Sequence, residues 1–207
     1  MKVREIDTRL TDVLMDKFGH PDRSPGLHAS QIWHDMAVGI GRKAESVDQK
    51  SLEEYGTIGF VWERVLEKTL ADITADTEPG RYMRVGERVR DGILMTPDYM
   101  DLDYFGDGSS LLGVEEWKVK WCSYRKGDNL EKNFWEWLVQ QKTYCYEMET
   151  PYSRLRALFI AGDWKGDVTP KLRTWEFEWG SRELADNWEM LRGHARRRGW
   201  IRPQQAQ

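Results

Sequence analysis

Hydrophobic positions recur along this chain at two different periods, and the places where the period changes divide it into elements. Behind Ser30, which can cap a helix, Ile32, Trp33, Met36 and Ile40 fall at helical spacing and predict a helix over about 30–43. A second helix is predicted over about 51–74, with Ser51 as cap and Glu54 three places on as the partner of a capping box. From 81 to 122 the period shortens: β-branched and aromatic residues alternate with polar ones, interrupted at RDG and at FGDGSS. Three strands in hairpins are expected there, at about 82–89, 93–104 and 111–122. RKGDN then breaks the alternation. Helical spacing returns over about 130–148, where Leu130, Phe134, Trp137, Leu138, Gln141, Cys145 and Met148 line one side and Pro151 marks the end. Strands at about 154–161 and 172–179 flank a GDWKGD turn, and a last helix opens at Ser181 and runs into arginine-rich sequence. The order α-α-β-β-β-α-β-β-α predicts an α/β fold with a mixed central sheet flanked by helices.

Composition narrows the function classes. With 207 residues, no internal repeat and no Gly/Pro-rich linker, the chain is expected to form one domain over 1–207, with a basic tail from about 192. No run approaches the length of apolar residues a membrane span needs, and the first twenty residues lack the apolar core of a secretory signal. A cytoplasmic location is expected, in a host cytoplasm if the chain is viral. Cys122 and Cys145 are too few for a disulfide framework and lack CxxC spacing. A net charge of −4 argues against a surface coated in cations, so any nucleic-acid site must be a local groove. Eleven tryptophans are mostly expected in the core, although an exposed one could stack on an unpaired base.

Candidate chemistry begins in ILMTPDYMDLDY. Alternation along a strand puts Asp98 on one face with Leu94, Met100 and Leu102, and Asp101 and Asp103 on the other. A carboxylate among apolar neighbours requires a cation or metal beside it, unless this stretch is simply a solvated acidic turn. In LLGVEEWKVKW, Glu116 and Lys118 stand two apart and share a face with Leu112 and Val114. A carboxylate and an ammonium next to a second carboxylate can hold a divalent cation and activate water, whereas Glu-x-Lys alone is an ordinary surface pair. On a helical wheel Glu63 falls within the stripe of Gly59, Leu66 and Leu70, aimed inward, with burial against an arginine as the plain alternative. Gln140 and Tyr144, four apart, share a helix face near the core side.

Taken in order, Gly59 with Glu63, Pro97 with Asp98, Glu116-Trp117-Lys118, and Gln140 with Tyr144 resemble the successive motifs of the PD-(D/E)XK nuclease superfamily. Within it they resemble the RecB-like branch, which includes lambda exonuclease and YqaJ-type nucleases, and the resemblance covers about residues 50–180. It implies a magnesium- or manganese-dependent deoxyribonuclease, an exonuclease in preference to an endonuclease, serving recombination, repair or end processing. Asp98, Glu116 and the Trp117 carbonyl would hold the metal, Glu63 would reach a second metal or its waters, and Lys118 would touch the attacking water. Gln140 would orient Lys118 or the phosphate, and Tyr144 would hold the helix or touch the strand. DNA, a recombination or replication protein, and further copies of the chain are the partners implied. Two cysteines cannot ligate the iron–sulfur cluster some of these nucleases carry, so none is expected, and GxxxxGK[ST] is missing, so a motor would be a separate protein. RGHARRRGWIRP offers Arg196, Arg197 and Arg198 to DNA, or serves as a helix end whose cations complement the dipole. A nuclease fold kept for binding or assembly, without turnover, is the alternative function.

Overall fold

Pro97 marks the place where the chain passes from one sheet to another, and the architecture follows from that break. The structure, a computed structural model, describes residues 24–42, 61, 64, 65, 68, 69, 81–105, 111–160 and 171–201. Its strands are β1 Leu27–His28, β2 Tyr82–Arg84, β3 Arg88–Arg90, β4 Ile93–Met95, β5 Tyr99–Asp101, β6 Gly113–Lys120, β7 Tyr152–Phe159 and β8 Lys171–Glu178. Its helices are α1 Ala29–Gly39, α2 Leu130–Asn133, α3 Trp135–Glu147 and α4 Ser181–Arg197, with a 3-10 turn at Tyr124–Asp128. A five-stranded sheet in the order β2-β5-β6-β7-β8 is mixed: β6 and β7 run parallel, and the other neighbours run antiparallel. A small sheet, β1-β4-β3, stands apart from it.

The expected strand at 82–89 is therefore two strands in two sheets, and so is the one at 93–104. Proline has no N–H to give a ladder, so pairing stops at Pro97 and the strand resumes on new partners. Asp91 and Gly92, at φ 51 and 77, form the two-residue loop joining β3 to β4, the turn that Asp-Gly favours. The helix expected over 130–148 is divided at Phe134, whose backbone leaves the helical region at φ −142. The first helix starts one residue before its expected cap: His28 stands at the N-cap, and Gln31 Oε1 accepts the His28 N–H at 2.8 Å. Of the helix expected over 51–74, residues 61, 64, 65, 68 and 69 are helical, with Arg64, Val65, Lys68 and Thr69 exposed; the proposed cap at Ser51 lies outside the described residues.

Helix α3 packs against β6 and β7, and α1 and α4 pack against α3 and against each other. Ile32, Met95, Met100, Val114, Val139, Cys145, Trp188 and Leu191 form the main core, and Phe134, Trp137, Leu155, Ala157 and Phe159 a second cluster under the start of α3. Trp188 is 1% exposed, stacks on Tyr146 and donates its indole N–H to Asp91 at 3.0 Å, so α4 is tied to the β3–β4 turn.

The face of the large sheet away from α3 carries charge. Asp101 is fully buried between Arg81 (2.8 Å) and Arg154 (2.9 Å), and Arg154 also meets Glu115 (3.3 Å) and Glu176 (2.8 Å). Arg156 completes the group by bonding Glu115. Burial pushes the Glu115 carboxyl up even against the pull of Arg156 and Arg154. Removing one member of a buried pair leaves the other charge without water or partner. Arg154→Met is expected to cost about 3–5 kcal/mol in a denaturant titration, whereas Glu176→Ala, whose side chain is 61% exposed, costs under about 1 kcal/mol. Equal losses for the two would contradict this reading.

Candidate metal centre

Continuing the β5–β6 register past Tyr99↔Glu115 sets Pro97 opposite Trp117. In an antiparallel pair the N–H and C=O of one residue point to the same neighbour. Trp117 thus faces a residue with no N–H to donate to its carbonyl, while its own N–H goes to the Asp98 carboxylate, whose Oδ2 accepts it at 2.9 Å. Strand geometry turns the Trp117 carbonyl to the same edge of β6 as its N–H, where proline offers it no ladder donor.

Alternation on β6 turns Glu116 and Lys118 to the α3 side and Glu115 and Trp117 to the arginine side. Glu116 is fully buried, and both its oxygens are engaged. Oε1 accepts the Asp98 N–H at 3.1 Å, and Oε2 accepts from Lys118 Nζ at 2.6 Å and from Gln140 Nε2 at 3.0 Å. Gln140 also donates to the Tyr144 hydroxyl at 3.1 Å. Tyr144, 5% exposed, is held from behind by the Trp33 ring, edge-on at 6.4 Å. Farther back, Asn187 of α4 donates to Thr143 Oγ1 at 3.1 Å, fixing α3 one residue from Tyr144. Asp98 is half-buried and the Lys118 side chain 20% exposed, so the group opens to solvent on their side.

Burial raises the Glu116 pKa, and the neighbouring Asp98 charge raises it further against Lys118. Tyr144 is likewise pushed up by burial and by Glu116, so its hydroxyl stays protonated. Two neighbouring carboxylates, Glu116 fully buried and Asp98 half-buried, are hard oxygen donors of the kind magnesium and manganese take. The residues fit such a cation. Among the described residues no group of three or more acid, histidine or cysteine side chains gathers as a metal site, and Glu63 lies outside them.

Five of the candidate residues, Asp98, Glu116, Lys118, Gln140 and Tyr144, thus form one hydrogen-bonded group, with Trp117 its backbone member. Gln140 links α3 to β6 through its bond to Glu116. The basic tail is separate. Arg198 forms a two-pronged pair with Asp35 of α1 at 2.6 and 2.7 Å, and His194 bonds the same carboxylate at 2.7 Å. Arg197 is exposed and Arg196 half-buried. Sequence reasoning did not single out Arg154 or Arg156, for which the alternation of arginines in SRLRALF was the available signal, and it read Trp33 only as an apolar position of the first helix.

Among solved structures, the chain is similar to the protein designated SSO0001, with TM-score 0.54 and 11% identity over 94% of this chain and 89% of that one. Lower TM-scores relate it to an alkaline exonuclease (LHK-Exo) from Laribacter hongkongensis (0.48, 13% identity, 83% of this chain and 87% of that one). A phage-related exonuclease from Haemophilus somnus 129PT follows (0.45, 11% identity, 82% and 79%). The likeness to SSO0001 is one of fold. No protein-family profile matches the chain, and no curated protein matches it.

Arg198 and His194 hold the Asp35 carboxyl down to about 2, from an ordinary value of 3.8. A carboxyl depressed on folding contributes stability above its unfolded pKa and loses it as pH falls through the folded one. The α1–α4 tie should therefore weaken between about pH 4 and about pH 2. Denaturation midpoints of wild type and Asp35→Asn are expected to converge across that window; a constant gap down to pH 2 would contradict it.

Proposed function

We propose that this protein is a divalent-metal-dependent nuclease that hydrolyses DNA phosphodiester bonds, acting as an exonuclease in recombination, repair or end processing. The observation that supports this reading best is the Glu116 carboxylate, buried beside Asp98 and bonded to Lys118 and Gln140. Asp98, Glu116 and the Trp117 carbonyl would hold magnesium or manganese, with Glu63 as the further acid that the motif order implies. Bound there, such a cation supplies Lewis acidity and a water of lowered pKa.

The side chains divide the remaining work. Lys118 stands at the exposed rim, where its ammonium offsets charge building on the phosphate oxygens as the bond breaks. Its hydrogen bond to Glu116 holds that charge in place before substrate arrives, so little reorganisation is required during the reaction. Gln140 fixes the direction of Oε2 through the amide it shares with Tyr144, and Tyr144, held by Trp33, fixes Gln140. Arg196 and Arg197 are proposed to neutralise phosphates away from the reacting bond, with Arg198 held by Asp35.

End-labelled linear DNA and closed circular DNA, each incubated with and without magnesium, test the proposal: degradation of the linear form alone, and with metal alone, is expected. Lys118→Met keeps most of the lysine's bulk and removes its charge, so cleavage should fall about 10²- to 10³-fold while DNA binding persists. Cleavage at the wild-type rate would reduce Lys118 to a surface cation. Calcium should occupy the site without supporting turnover, because it coordinates more loosely than magnesium; equal rates in the two metals would overturn the assignment. Replacing Arg196 and Arg197 by alanine should lower the salt slope of DNA binding by about 0.9 per lost phosphate contact, and an unchanged slope would remove them from the interface. Retention of DNA with no cleavage under any metal would favour a nuclease fold used for binding.

A further inference from the structure

Beyond the metal centre, β6 runs out into a stretch whose charge opposes that of the chain as a whole. From Lys118 to Lys132 there are five cations, Lys118, Lys120, Arg125, Lys126 and Lys132, against two acids, Asp128 and Glu131, in a chain of net charge −4. Register brings in more from the neighbouring strands. Lys120, Phe159 and Lys171 form one row across β6, β7 and β8, and Lys118, Ala157 and Arg173 form the next, all on the α3 face. Rows on one face lie about 7 Å apart and strands about 4.8 Å apart, so these cations lie within about 15 Å of one another at the same end of the sheet as Lys118. Arg173 takes up Asp128 at 2.7 Å, which removes one of the two opposing charges.

The same stretch carries aromatic residues, of which Tyr124 lies against Lys171 and Arg125. The strand ends at Lys120; Trp121 follows at a bend and is 48% exposed, where Trp33, Trp117, Trp137 and Trp188 are all at 8% or below. The bend leads the chain over the α3 face, since Cys122 and Tyr124 pack against the Phe134-Trp137-Phe159 cluster. Lys171 Nζ lies 4.1 Å from the Tyr124 ring centre, and Arg125 stands beside the same ring at 6.0 Å. Trp121 is three residues past Lys118, about 10 Å along an extended chain and about three nucleotides of a stacked strand. An indole face can stack on a base only where the base is unpaired, because a duplex buries its base faces against one another.

We infer that exposed Trp121, with the cations Lys120, Arg125 and Lys126 near it in the chain and Lys171 at the Tyr124 ring, belongs to a binding surface for a single strand of nucleic acid, holding unpaired nucleotides that lead to or from the metal centre. The inference rests on the nuclease reading for which strand is held, but its own content is strand binding, which is measurable without cleavage. Trp121 supplies stacking, tolerant of base identity, and the cations supply the salt-dependent grip on phosphates.

The test is fluorescence anisotropy of the full chain in EDTA, with labelled oligothymidylate of about 16 nucleotides and a blunt duplex of the same length as probes. Trp121→Ala should weaken single-strand binding about fivefold to a hundredfold, leave duplex binding unchanged, and leave the salt slope unchanged. Trp121→Phe, which keeps an aromatic face, should recover most of the loss. Lys120→Gln with Lys126→Gln should instead lower the single-strand salt slope, by about 0.7 per lost contact. The proposal is overturned if Trp121→Ala binds the single strand as wild type does, if it loses duplex binding equally, or if wild type does not hold the single strand. Wild type that binds the oligonucleotide with this Trp121 dependence but cleaves nothing in magnesium would support the surface and sink the nuclease reading. Wild type that cleaves, with Trp121→Ala binding unchanged, would do the reverse.

Discussion

A negative charge placed inside the protein beside another one is the constraint on which the remaining structure depends. Glu116 is fully buried, and Asp98 lies next to it. Burial and the Asp98 charge both push the Glu116 carboxyl up, so each works against its ionised form. The fold tolerates this by aiming donors at the pair: the Asp98 N–H and the Lys118 and Gln140 side chains at Glu116, and the Trp117 N–H at Asp98. Each donor has its own support. Pro97 ends the β5 ladder and releases Asp98, α3 carries Gln140 over β6, and Trp33 and α4 hold α3 in position behind Tyr144.

The two faces of the sheet handle buried acid differently, and the difference separates scaffold from site. On the face away from α3, Asp101, Glu115 and Glu176 meet Arg81, Arg154 and Arg156 in a closed group. On the α3 face, Glu116 meets Lys118 with a like charge at its side and an opening at the lysine rim. A closed ionic group of the first kind orders strands and offers little to a ligand. The second leaves a demand for positive charge where solvent can reach, which is a reason to look there for a divalent cation.

How much of this could be read from the sequence depended on the range of the physics involved. Alternation is local, so it correctly separated Asp98 from Asp101 and paired Glu116 with Lys118 on one face. It was also local reasoning that treated 82–89 and 93–104 as continuous strands: Pro97 was visible, but which sheet each half joins depends on partners far away in the chain. Strand β1, two residues long, has no periodicity to detect, and the helix break at Phe134 comes from its packing on Trp137 and Phe159. The meeting of Gln140 with Glu116 spans 24 residues and needed the crossover of α3 to appear. The arginine group on the far face was legible only as a weak alternation in SRLRALF, since its acids come from three other strands. Arg198, a candidate for DNA in sequence, turned out to face Asp35 across 163 residues.

The central claim is that the Asp98–Glu116 pair is built to hold a divalent cation, and calorimetric titration of manganese into the full chain tests it most directly. Glu116→Gln keeps the shape and a hydrogen-bonding oxygen while removing the charge, so the fold should persist by circular dichroism. Saturable binding to wild type that is lost or greatly weakened in Glu116→Gln is the predicted result. Manganese binding of equal affinity in the two proteins would contradict it.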